Sequence, residues 1–171
     1  MNQRKIILIT VPAILLLLAS FLGYKIWVTT EVKEKIVAAT EYLPSMQLRK
    51  MDGSLFNTDS LKFNGQILVL NYFNPDCEHC HTMVQEMFRE QSLLQNVDWL
   101  MIASTSIEKT KTFSDSMQLL QLENVTVLSD TALVFAKTFG TVSVPSFYVY
   151  KNGKLLRKHS GECSVAYLVK E

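Results

Sequence analysis

The run "QILVLNYF", leading directly into "NPDCEHC", constrains this chain more than any other stretch. An unbroken apolar run with β-branched and aromatic members suits a central strand buried on both faces, and Asn71 is its one odd polar residue. After the cysteines, "CHTMVQEMFRE" spaces Met83, Val84 and Met87 as one face of a helix, which is predicted from near Cys80 to about Glu90. A strand thus runs into a cysteine pair that opens a helix. By itself "CEHCH" has three readings: a dithiol redox motif, half of a zinc site, or the C-x-x-C-H attachment signature of a haem.

The rest of the chain alternates in the same way. "MQLRKMDGSLF" is predicted as an N-terminal β-hairpin, with Asp52-Gly53 supplying the two positive backbone angles of a type I′ turn. "NVDWLMIAST" reads as a strand and "SIEKTKTFSDSMQLLQ" as a helix with Ser106 as its N-cap. "NVTVLSD" is a short strand, and "TALVFAKTFG" is a helix ended by Gly140. Two β-rich runs then meet at Asn152-Gly153, a strong hairpin signal, and "CSVAYLVKE" closes the sequence as a short helix. Helical crossovers between strands imply parallel pairing ahead of an antiparallel final hairpin, hence an α/β fold with a mixed sheet.

The N-terminal segment differs in kind. No charged side chain occurs between Lys5 and Lys25, and at ~1.5 Å per helical residue this run covers about the ~30 Å apolar core of a bilayer. It is longer than a signal-peptide h-region and no clear A-x-A site follows, so an uncleaved anchor is expected. The expected organisation is a tail at 1–5, a transmembrane anchor at 6–28, a stalk at 29–43 and one domain at 44–171. A short tail ahead of one span and a whole domain is the arrangement of a signal anchor, with the domain extracytoplasmic. A formal net charge of +1 offers no basic stripe to a phosphate backbone, so no nucleic-acid partner is expected.

A dithiol catalyst needs an exposed cysteine with a stabilised thiolate and a second thiol close enough to resolve the mixed disulfide. The free N–H groups at a helix start favour the thiolate, which makes Cys77 the expected attacker and Cys80 the more buried resolver. An imidazolium at His79 favours that thiolate, whereas carboxylates at Glu78 and Asp76 oppose it. His79 and His81 also fit exposed helix-start residues without a role.

With these residues in place the chain resembles the thioredoxin-like superfamily, and within it the membrane-anchored redoxins of the TlpA and ResA type. The resemblance rests on "ILVLNYFNPDCEHC", on "SVPSFYVYKNGKLLRKHSG" and on the early hairpin with "DGSLF". It implies a thioredoxin-like fold, a redox-active Cys77–Cys80 disulfide in place of any cofactor, and no metal. It further implies that Val144-Pro145 is a cis peptide bond facing the cysteines, exposing Val144 for pairing with a substrate chain. Asn71 stands where thioredoxin carries a buried carboxylate, as it often does in TlpA-like redoxins, so proton relay must come from elsewhere, such as Glu86, water or the substrate. Asp76 replaces the family's usual Trp before the first cysteine, which leaves substrate preference and potential open. The implied activity is thiol–disulfide exchange with protein substrates, as a reductant fed by a membrane electron carrier.

Other chemistries fit less of the chain. A c-type haem would use His81 as ligand, but an α/β chain surrounds the motif and the second ligand, Met117 or His159, is not marked. Zinc on Cys77, Cys80, His159 and Cys163 would bridge nearly eighty residues in a domain large enough to form a core without it. A peroxiredoxin of the alkyl hydroperoxide reductase or thiol-specific antioxidant type needs Pro-x-x-x-Thr/Ser-x-x-Cys, and Leu70 and Asn74 occupy those positions. Cys163 is expected to be a semi-buried or surface thiol at the start of the last helix.

Overall fold

The structure, a computed structural model, describes residues 3–140 and 142–170, with side chains at 14 and from 16 onward. It falls into two compact units, Met1–Val37 and Ala38–Glu171. Residues 3–37 of the first lie in a single helix, α1 (Gln3–Thr40). Its apolar side chains at Ile14, Leu16, Leu17, Leu18, Phe21 and Leu22 are each more than half exposed. Among the described residues no helix is long and apolar enough to cross a membrane. The expected tail at 1–5 and the first half of the span expected at 6–28 fall largely on residues 1–13 and 15, whose side chains lie outside the described residues.

In the second unit the strands are β1 (Gln47–Lys50), β2 (Leu55–Asn57), β3 (Ile67–Phe73), β4 (Val97–Ala103), β5 (Val125–Ser129), β6 (Ser146–Lys151) and β7 (Lys154–Ser160). They form one sheet in the order β2-β1-β5-β4-β3-β6-β7. The pairs β3·β4 and β4·β5 are parallel, while β3·β6, β6·β7, β1·β2 and β1·β5 are antiparallel. Every residue of β3 is buried, because neighbours flank it and helices cover both faces.

The helices of this unit are α2 (Glu78–Arg89), α3 (Ile107–Ser116), α4 (Val134–Phe139) and α5 (Val165–Val169). Successive strand residues point to opposite faces, and each face has its own core. On one, Val69, Phe73, Trp99 and Phe147 pack with Met83, Val84 and Met87 of α2 and Leu168 of α5. On the other, Leu70, Tyr72, Ile102 and Tyr150 pack with Phe135 and Phe139 of α4 and with Met46 and Leu48. Ser106 caps α3 by accepting the Lys109 N–H at 3.3 Å, and Gly140, with φ of 79°, ends α4.

The two hairpin signals resolve differently. Asn152 and Gly153 both have positive φ, 51° and 77°, the type I′ pattern between β6 and β7. At the first hairpin the type I′ expectation is wrong: Gly53 alone is positive, at 84°. Asp52 Oδ1 accepts the Ser54 N–H at 2.8 Å, and Lys50 exchanges backbone bonds with Gly53 and Ser54, giving a longer turn with a glycine bulge. Local side-chain bonding decided the turn, against the dipeptide preference.

Candidate active site

β3 ends at Phe73, and the chain turns at once. The Cys77 N–H donates to Asn74 O at 3.0 Å, closing a turn with Pro75 at its second position, and Asn74 Oδ1 accepts the Asp76 N–H at 2.9 Å. Cys77 is then the extended N-cap of α2, and its carbonyl accepts from the Cys80 and His81 N–H groups at 3.0 and 3.3 Å. Its side chain caps nothing, so the sulfur is left to other contacts. His81 closes the turn from behind: Nε2–H donates to Pro75 O at 2.8 Å, and the ring meets Phe113 of α3 edge-on at 5.0 Å.

The second half of the site comes from β6. Because β6 runs antiparallel to β3, with Ser146 opposite Tyr72, the residues just before β6 lie beside the end of β3. The Val144–Pro145 peptide bond is cis. The Cys77 thiol donates to Val144 O at 3.7 Å, joining two segments 67 residues apart. Val144 packs against both cores of the unit.

The two thiols stand in different surroundings. Cys77 is half-buried, whereas Cys80 is 1% exposed among the core residues under α2. Burial pushes the Cys80 thiol up to about 12, and the neighbouring Cys77 sulfur adds to the rise. Cys80 therefore keeps its proton until something removes it. Asn71 is also 1% exposed, and strand alternation between Val69 and Phe73 places it on the same face as Cys80.

The charged residues near the motif are mostly engaged elsewhere. Asp76 pairs with Lys109 of α3 at 3.0 Å in solvent, and Glu78 lies in the first turn of α2. Glu86 pairs with Arg89 and lines a cleft with Glu162 and Cys163, not with the two thiols of the motif. His79 Nδ1 lies 2.5 Å from Glu162 Oε1, a contact that the sequence reading missed. Nothing local marks Glu162, since 83 residues separate the partners.

The third cysteine, Cys163, is half-buried beside α2; its N–H donates to Met83 Sδ at 3.4 Å, and burial pushes its thiol up to about 11. Among the described residues no group of three or more His, Cys, Asp or Glu side chains is arranged to hold a metal ion.

A strand, a cysteine pair at a helix start and a proline loop beside it, on a mixed sheet covered on both faces, define a thioredoxin-like α/β fold. The family assignment agrees: residues 57–171 match the family described as thioredoxin-like domain, and the chain belongs to it. The TlpA and ResA resemblance fits at this family level. Solved structures share the architecture. A secreted Mycobacterium tuberculosis disulfide oxidoreductase, homologous to E. coli DsbE, aligns over 70% of this chain and 85% of its own at 20% identity, with a TM-score of 0.57. MTB dsbF aligns over 73% and 90% at 20% identity, with a TM-score of 0.61. StoA from Bacillus subtilis aligns over 76% and 97% at 13% identity, with a TM-score of 0.55. No curated protein matches the chain in sequence.

Proposed function

We propose that this thioredoxin-like protein is a thiol–disulfide oxidoreductase that exchanges disulfides with protein substrates through Cys77 and Cys80. Thioredoxin-like redox proteins act on protein thiols and disulfides; one structural relative is named a disulfide oxidoreductase, and another, dsbF, is described in oxidized and reduced forms. The single observation that carries the reading is the Cys77 sulfur, at the N-cap of α2 and 3.7 Å from Val144 O. An extended substrate chain pairing with the backbone at Val144 would bring its own sulfur to Cys77.

Cys77 thiolate attacks a substrate disulfide, forming a Cys77–substrate mixed disulfide and releasing the other substrate sulfur as thiolate, which takes up a proton. Cys80 then loses its proton and attacks the Cys77 sulfur. The Cys77–Cys80 disulfide forms, and the second substrate sulfur leaves reduced. Run backwards, the same steps oxidise a dithiol.

The reductant direction is proposed from the resemblance to redoxins of the TlpA and ResA type. We further propose that α1 anchors the domain in a membrane through 6–28, with the domain extracytoplasmic and reduced by a membrane electron carrier. The apolar side chains of α1 at Ile14, Leu16, Leu17, Leu18, Phe21 and Leu22, each more than half exposed, support this.

A redox titration of the domain in glutathione or dithiothreitol buffers tests the reading. A reversible two-electron transition near ~−270 mV identifies a reductant, and one near ~−120 mV an oxidant. Absence of any transition overturns the assignment. Resistance of the full chain to carbonate extraction tests the anchor separately.

A further inference from the structure

The loop between β7 and α5, "SGECS", is tied to both halves of the site. The Gly161 N–H donates to Pro145 O at 2.8 Å. His159 Nε2–H donates to Glu162 O at 3.2 Å, and the Cys163 N–H reaches Met83 Sδ on α2. Ser164 caps α5 by accepting the Tyr167 N–H at 3.2 Å. A backbone held at three successive residues, Gly161 to Cys163, sets the point from which the Glu162 side chain extends. It goes to His79, between the two cysteines of the motif.

That contact determines what the imidazole can do. A carboxylate only accepts, so the 2.5 Å contact is an Nδ1–H donated to Glu162 Oε1. The other ring nitrogen, Nε2, has no protein partner among the described residues and is thereby the basic nitrogen of the neutral ring. The pair is solvent-exposed, with 71% of the His79 side chain and 42% of the Glu162 side chain accessible, so it contributes little to stability. Its physical consequence is orientation and tautomer.

The exchange reaction needs such a group. Cys80 holds its proton tightly, Asn71 offers no carboxylate beneath it, and Glu86 is paired with Arg89 away from the dithiol. We propose that Glu162 is the positioning residue for proton transfer at this site: it holds His79, the chain neighbour of Cys80, with Nε2 left free as the proton carrier. When Cys80 attacks the mixed disulfide, its proton passes to Nε2, directly or through solvent, and from there to the departing substrate thiolate. One S–S bond forms as one breaks, and no further oxidant or reductant is required. This rests on the reading of Cys77 and Cys80 as the exchanging pair.

The other titratable and charged groups on the segment that carries His79 are Asp76, Cys77, Glu78, Cys80, His81, Glu86 and Arg89. Lys109 of α3 pairs with Asp76, His159 stands near the end of β7 with its Nε2–H on Glu162 O, and Cys163 follows Glu162 on the loop.

The experiment measures single-turnover resolution of a mixed disulfide between the full-length protein and a model peptide, from pH 5 to 9, alongside the equilibrium potential. Glu162→Gln is expected to slow resolution about tenfold to a hundredfold while the potential stays near that of wild type, and Glu162→Asp to restore part of the rate. In a His79→Gln background the Glu162→Gln substitution should have no further effect, because the two act as one unit. An unchanged rate and pH profile in Glu162→Gln, in a protein whose dithiol still titrates, overturns this proposal and leaves the oxidoreductase reading standing. Equal losses in the single variants that add fully in the double variant overturn it too. A dithiol that does not titrate at all overturns both.

Discussion

Cys77 and Cys163 are both half-buried thiols beside the same helix, yet only one is placed for exchange. Cys77 ends a tight turn, starts α2 and has Val144 across from it. Cys163 sits one turn further along α2, packed on Met83, ahead of a helix of only five residues. Burial pushes its thiol up to about 11, away from the reactive form at neutral pH. Similar exposure thus goes with different chemistry. What separates the two is the backbone around the sulfur: free helix N–H groups on one side and the Val144 carbonyl on the other.

The largest expected effect breaks the comparison outright. Cys77→Ser should reduce peptide exchange to the uncatalysed rate, whereas Cys163→Ser should leave turnover within about twofold, in line with substitutions away from a site. Equal losses in the two variants would end the distinction drawn here. Cys80→Ser sharpens it: a covalent complex with substrate should accumulate on Cys77, visible by non-reducing electrophoresis, with none on Cys163.

Met83 Sδ accepts the Cys163 N–H, and Met83→Ala should cost about 2–5 kcal/mol in urea unfolding because Met83 is 2% exposed. The same change should speed labelling of Cys163 by a thiol probe, since it removes the atom that covers that residue's backbone.

The smallest effect is on pH. The folded, reduced protein retains the Cys80 and Cys163 protons above pH 9, where the unfolded chain releases them. Proton binding is then greater in the folded state, so stability is full below the ordinary thiol value of 9.0 and declines as pH rises towards about 11 and about 12. The buried tyrosines Tyr148 and Tyr150, also pushed up by burial, act in the same direction. The urea midpoint should fall between pH 9 and 11, and Cys163→Ala should flatten the early part of the fall.

Much of this was legible from the sequence, wherever the information is local. The largely apolar run at β3, the Ser106 cap and the Asn152-Gly153 turn each follow from neighbours within a few residues. Asp52-Gly53 misled because Asp52 bonds the Ser54 N–H, a local competitor that the dipeptide rule ignores. His81 read as a residue without a role, but it donates to Pro75 O and holds the turn before Cys77. Its partner is six residues upstream, outside any helical periodicity. Glu162 was invisible for a different reason: only the folding of β7 back onto β6 brings its loop against α2. Glu86, singled out for its place on α2, is drawn instead to Arg89 within its own helix.

The antiparallel ladder between β3 and β6 has a consequence for how the site tolerates change. Its two halves hang from adjacent strands whose pairing, Tyr72 to Ser146 through Ile67 to Lys151, is the ruler that sets the distance from Cys77 to Val144. Slipping that ruler by two residues would preserve which side chains are buried yet carry Val144 about 7 Å away from the sulfur. Insertions at the β6–β7 turn would disturb the packing of buried Gly153, whose carbonyl accepts the Leu43 N–H, but not the register of the ruler, whereas a single residue added between Val144 and Ser146 shifts its zero.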